Sequence, residues 1–142
     1  MSYFTDIAES IKAHESYRPR PYPDPITGGK PWTIGYGFTY LSPDECEAVL
    51  EIKIRKIARK LLKRIPNFIS YPMRVKMVLI EMAYQMGVAG LLEFHDMLAA
   101  LDRGDYDQAA AEIRNSKLYR QTRGRAEWYA KMIGRQRCQG NP

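Results

Sequence analysis

The sequence predicts an α+β protein that is predominantly helical, with one small β-hairpin lobe inserted near its N-terminus. Two patterns carry that prediction. Apolar residues recur every three or four positions over residues 2–14, and again from residue 43 almost to the end, which is the period of helices that bury one face. Between them, Ser16–Tyr40 holds five of the nine prolines and four of the ten glycines, interleaved with tyrosine, threonine and tryptophan. That composition forbids a helix and favours short strands joined by turns. The 142 residues suffice for one domain with a real core and are too few for two independent ones.

The first helix, over residues 2–14, places Phe4, Ile7, Ala8 and Ile11 on one face with Asp6, Glu9 and Lys12 opposite. In the β-rich segment, Thr27-Gly28-Gly29-Lys30 is the best turn. Ser42-Pro43-Asp44-Glu45 is a capping box with proline at the first helical position. It opens a long helix that reaches about Arg64 and is ended by Pro66, with Cys46, Leu50, Ile54, Ile57 and Leu61 as its buried stripe. Lys53, Lys56, Lys60 and Lys63 decorate its other faces, either as a solvated surface or as a loose attraction to an acidic cell wall. After Pro72, Val75, Val78, Leu79 and Met82 mark one helix, which Gly87 and Gly90 break. Leu91, Phe94, Met97, Leu98 and Leu101 mark the next. Gly104 separates that from a helix starting near Asp105, with Tyr106, Ala109, Ala110 and Ile113 inward, and a last helix runs from about Thr122 to Ile133. The expected organisation is a single domain over residues 1–142. Its small β-rich lobe covers 15–41, its connecting helix 43–64, and its helical lobe 1–14 plus 66–135.

Bulk properties exclude several classes. No apolar run approaches the roughly 20 residues that span a bilayer, so no stable membrane insertion is expected. The start of the chain lacks a basic stretch followed by an apolar one, so it reads as a mature amphipathic helix without a signal peptide. Cys46 and Cys138 read as unpaired thiols, and neither stands near His14 or His95 with metal-ligand spacing, so no metal site is expected. The net charge of +6 and pI of 9.4 point to a polyanionic partner without choosing among nucleic acid, membrane surface and cell wall.

Two carboxylates bracket the start of the β-rich segment. Glu15 ends the first helix, where the partial negative charge of the helix terminus disfavours a further negative charge. Asp24 follows nine positions later inside Pro23-Asp24-Pro25, whose prolines restrict its backbone. Glycoside hydrolysis needs such a pair, one acid to protonate the leaving oxygen and one ionised carboxylate near the anomeric carbon. Spacing alone does not make this pair a site. His14 adjoins Glu15, but neighbours in a helix point about 100° apart, so it reads as supporting or surface. His95 and Trp128 read as packing residues, with His95 alternatively exposed. Trp32 is either a sugar platform or a packing residue between lobes.

After Asp24 come a glycine turn and Pro31-Trp32-Thr33-Ile34-Gly35-Tyr36-Gly37. Here the chain resembles the phage-type lysozymes of glycoside hydrolase family 24, in which a glutamate ends the first helix, an aspartate stands nine positions on, and a threonine lies in a Thr-Ile-Gly-x-Gly strand. The resemblance implies Glu15 as general acid, Asp24 as second carboxylate and Thr33 as the hydroxyl that helps hold the attacking water. It continues through Leu41–Glu45, through Glu81–Gly87, through Gly104–Ala110 and through Leu118–Thr122. It implies Tyr84 and Gln85 as sugar contacts lining a cleft, with a core tyrosine as the alternative for Tyr84, and Arg125 as the arginine that pairs with the catalytic glutamate. The fold it implies is a two-lobed lysozyme fold. Three features depart from the family: a longer Asp24-to-Thr33 gap, Phe38 where a histidine often stands, and a very short stretch between Gly37 and Ser42.

The resulting expectation is a muramidase acting on bacterial peptidoglycan, as a monomer that needs no metal or other cofactor. It would accumulate in the host cytoplasm of a phage or prophage and reach the wall with a separate holin. A virion-associated role is the variant of this reading. Two rivals make different predictions. A catalytically degenerate binding module would bind sacculi without releasing reducing ends. A nucleic-acid binder would show affinity that falls steeply with salt, but the lysines lack an interleaved aromatic surface, so no nucleic-acid partner is expected.

Overall fold

A computed structural model describes residues 3–23, 26 and 28–134. These form seven α-helices, one 3-10 turn and a two-stranded antiparallel sheet, in the predominantly helical α+β arrangement that the sequence predicts. The chain divides within α2, between Val49 and Leu50, into two compact units.

The N-terminal unit begins with α1, Tyr3–Glu15. Strands β1, Arg18–Pro23, and β2, Trp32–Gly35, pair antiparallel with Tyr22 opposite Thr33 and Pro23 opposite Trp32. Register breaks between Arg18 and Tyr22, the stretch that contains Pro19 and Pro21. Proline has no N–H to give a ladder, so a bulge falls there. The capping box forms as expected. The Ser42 amide donates to Glu45 Oε2 at 2.7 Å and the Glu45 amide donates to Ser42 Oγ at 3.4 Å, opening α2, Pro43–Arg64.

The C-terminal unit carries the hydrophobic core. A 3-10 turn, Phe68–Ser70, leads to α3, Met73–Leu92, α4, His95–Asp102, α5, Tyr106–Arg114, α6, Lys117–Gln121, and α7, Arg123–Gly134. Val75, Val78, Leu79, Met82, Met97, Leu101, Ala109, Ala110 and Ile113 are buried as the helical periods require. Asp105 caps α5 by accepting from the Gln108 amide, and Ser116 caps α6 by accepting from the Tyr119 amide.

Several expectations need correction. The α2 stripe is buried only at its C-terminal end, where Leu61 enters the core and Ile57 packs against it. Cys46, Leu50 and Ile54 are exposed, because burial needs a facing layer and the core begins at Leu61. Gly87 interrupts α3 as expected, with a non-helical backbone at a φ of 84° and a ψ of 158°, but Gly90 does not break it, and Leu91 lies in the last turn of α3 and not in α4. The short helix α6 was not predicted. Trp128 is exposed and its neighbour Tyr129 is the core ring, because Ala126, Tyr129, Ala130 and Ile133 make the inward stripe of α7. His95 takes the exposed alternative of its two expected positions, beside Glu93 at 3.8 Å. Cys138 lies outside the described residues.

Candidate functional site

Glu15 is the last residue of α1, and the chain leaves the helix through Ser16 in the left-handed region at a φ of 56°. The Ser16 amide closes the final turn on the Lys12 carbonyl at 3.2 Å. Next, Tyr17 packs its ring on Tyr36, 5.5 Å between centroids. Tyr36 sits in a three-residue loop, Gly35-Tyr36-Gly37, which Ile34 and Phe38 close by exchanging both backbone hydrogen bonds at 2.9 Å.

This loop seats the glutamate. Gly37 has a φ of 78°, and a Cβ added there would lie 2.6 Å from Glu15 Oε2. The absence of a side chain at Gly37 is therefore what admits the Glu15 carboxyl, in addition to the backbone conformation that favours glycine. The helix end and the Thr33–Gly37 motif, far apart in sequence, meet through that contact. Phe38 lays its ring on Gly35, where an added Cβ would be 3.0 Å from Cδ2.

The neighbours of Glu15 on α1 are committed elsewhere. Lys12 pairs with Glu9 at 2.8 Å, which raises the lysine's proton affinity. His14 donates from Nδ1 to the Ser10 carbonyl at 2.7 Å, since a carbonyl can only accept. Within the described residues of its own unit, the Glu15 carboxyl has no hydrogen-bond or ion-pair partner.

On β2, Trp32 is exposed and Thr33 is half-buried. Thr33 Oγ1 is shielded from solvent and has no hydrogen-bond partner among the described residues. A hydroxyl in that condition has unused capacity to donate and accept. Asp24 follows the end of β1 and lies outside the described residues.

Tyr84, Gln85 and Arg125 belong to the C-terminal unit. Tyr84 is 47% exposed and borders an open cleft of about 670 Å³. The amide of Gln85 is engaged at both ends. It donates to Thr122 Oγ1 at 3.2 Å and accepts from the Tyr129 hydroxyl at 3.2 Å, while Thr122 donates to the Leu118 carbonyl at 3.1 Å. Gln85 thus ties α3 to α7 and to the α6–α7 junction. Arg125 pairs with Glu81 at 3.6 Å and lies over the Tyr129 ring, 5.8 Å from its centroid. Glu81 and Tyr129 as its partners escaped the sequence reading, although Glu81 stands four residues before Gln85 on the same helix. Gly37 belongs to the Thr33–Gly37 motif, but its contact with Glu15 has no local sequence signal.

No group of three or more histidine, cysteine, aspartate or glutamate side chains among the described residues is arranged to hold a metal ion.

Comparison with known proteins adds two findings. The phage lysozyme family model matches residues 12–135. The chain is also similar to the pre-baseplate central spike protein Gp5 of Enterobacteria phage T4, with 47% identity over 51 residues, 36% of this chain. The match covers 9% of the spike protein's length.

Proposed function

Because the chain belongs to the phage lysozyme family, we propose that it is a muramidase that hydrolyses the β-1,4 bond between N-acetylmuramic acid and N-acetylglucosamine in bacterial peptidoglycan. The observation that carries this reading is the seat of the Glu15 carboxyl on Gly37, beside the strand that bears Thr33. In the proposed reaction Glu15 gives its proton to the departing glycosidic oxygen. Asp24 accepts a proton from a water that attacks the anomeric carbon from the opposite face, and Thr33 Oγ1, free of protein partners among the described residues, helps hold that water. The glycosidic bond breaks, the new C–O bond forms with inversion, and the two carboxyl groups exchange protonation states. Tyr84, Gln85 and Trp32 are the proposed sugar contacts, and Arg125 is the proposed support for Glu15. Host lysis is the proposed setting, with the enzyme held in the host cytoplasm until a holin admits it to the wall.

The test is release of reducing ends from purified peptidoglycan. Glu15→Gln should abolish release and leave the circular dichroism spectrum unchanged. Full activity in Glu15→Gln would overturn the assignment. A wild-type protein that binds sacculi but releases no reducing ends would establish the rival reading, a binding module on the same fold. The similarity to a spike protein supports one variant, a lysin carried in the virion. Finding the chain in purified particles by mass spectrometry would select that variant over a free lysin.

A further inference from the structure

The open cleft bordered by Tyr84 has a second wall that the proposed cleavage reaction does not use. Lys53, Lys56 and Lys60 stand three and four residues apart on α2, which puts them on one helix face, and all three line this cleft opposite Tyr84 and the kink at Gly87. The rest of the lining is aliphatic, with no carboxylate. None of the three ammonium groups has an ion-pair partner among the described residues. Glu51, a turn ahead of them, is taken by Arg55 at 2.6 Å. From Lys53 to Arg64 the helix carries seven cations and no anion. Like charges at this spacing oppose helix formation, and the cleft walls offer no compensation.

This is not a general result of a basic chain. Another large cleft in the same unit, beside His95 and Lys117, is also lined by Glu93, Asp96 and Glu112. The choice of lysine narrows the ligand. Planar, bidentate recognition of carboxylate or phosphate favours arginine, whereas lysine acts as a point charge, a way in which it commonly takes phosphate, and no arginine lines the cleft. On the helical rise, Lys53 and Lys60 are about 10 Å apart along the axis, a span suited to successive charges on a chain. Tyr84 adds a hydroxyl donor and an exposed ring face.

We propose that this cleft binds a linear polyphosphate, holding two or more successive phosphates on Lys53, Lys56 and Lys60. The inference rests on the muramidase reading only for where such a polymer is met, as an anionic companion of the wall glycan near Tyr84.

Binding is therefore measured without glycan, by fluorescence anisotropy of the full chain against labelled polyphosphate of defined length. Lys53→Gln/Lys56→Gln/Lys60→Gln should weaken binding by about tenfold or more and reduce the slope of log affinity against log salt by roughly two. Arg59→Gln/Lys63→Gln/Arg64→Gln removes the same charge from exposed positions outside the cleft. It should change affinity by less than about threefold. The single variant Lys56→Gln should fall between wild type and the cleft triple, which covers the case in which the triple folds poorly. Equal losses in both triples would overturn the proposal, as would poly-glutamate binding as tightly as polyphosphate, or no saturable binding at all. Reducing-end release from polymer-free peptidoglycan should be unchanged in the cleft triple, so failure of this inference and failure of the muramidase reading are separately visible.

Discussion

The two units are held together by different physics. Every buried hydrophobic residue among those described lies between Leu61 and Ile133, in the C-terminal unit. In the N-terminal unit no described residue is buried, and order comes from local devices: a left-handed helix exit, a capping box, a closed three-residue loop and a pair of tyrosine rings. The residues proposed for bond cleavage, Glu15 and Thr33, sit in this second kind of structure. Stability and chemistry should therefore respond to different substitutions.

The largest effect on stability is expected at Leu61, fully buried where α2 meets the core. Leu61→Ala should cost about 2–5 kcal/mol in denaturant unfolding, from lost apolar transfer plus the cavity left behind. Lytic activity per folded molecule should hold. A loss below about 1 kcal/mol would show that α2 is not anchored in the core in this way.

Gly37 tests the opposite case. Gly37→Ala drives a Cβ against the Glu15 carboxyl, which can swing aside cheaply because it is the end of a flexible side chain. The helical core should be unaffected, and the left-handed φ costs about 1–2 kcal/mol locally. Displacing the proposed acid should lower kcat by about 10²-fold, equivalent to about 3 kcal/mol of activation free energy. An active Gly37→Ala enzyme would mean that the carboxyl does not work from this seat.

Thr33→Val sharpens the same comparison with a smaller effect. Replacing a shielded, unpartnered hydroxyl by a methyl group should leave thermal stability unchanged or slightly raised. A loss of the proposed water contact should still lower kcat by about tenfold, in the range of a single hydrogen bond. If stability falls and the rate does not, Thr33 is a packing residue.

The same division explains what could be read from the sequence. Helix boundaries with a chemical signature were readable: the Ser42–Glu45 box, the stop before Pro66 and the break at Gly104, which has a φ of 73°. So were the inward positions of α3, α4 and α5, because period alone fixes them. Periodicity could not say where along α2 a facing layer begins, so Cys46, Leu50 and Ile54 were misplaced. Nor could it choose between the adjacent rings Trp128 and Tyr129, since one step along a helix turns about 100°. At the site, the resemblance supplied the residue types and their spacing. The closure of the Gly35–Gly37 loop and its contact with Glu15 depend on backbone dihedrals far from the helix in sequence, which no local pattern encodes.

The smallest expected effect lies at the margin of the core. Arg114 on α5 grips Glu127 on α7 with two parallel hydrogen bonds, Nε to Oε2 at 3.0 Å and Nη2 to Oε1 at 2.9 Å. That fork holds the Glu127 carboxyl down at about 2 from its ordinary 4.5. A depressed acid stabilises the fold above its unfolded value, so the contribution is complete above about pH 4.5 and disappears as pH falls toward 2. Because the pair stands in solvent, screening keeps it small. Glu127→Gln should lower Tm slightly at neutral pH, and the gap to wild type should close between pH 4.5 and 2. Since the pair joins two helices of the C-terminal unit, the pH profile of reducing-end release should not move with it. A gap that persists unchanged to pH 2 would show that the variant acts through packing and not through charge. A shifted lytic profile would break the separation between the unit that carries the fold's stability and the one proposed to carry its chemistry.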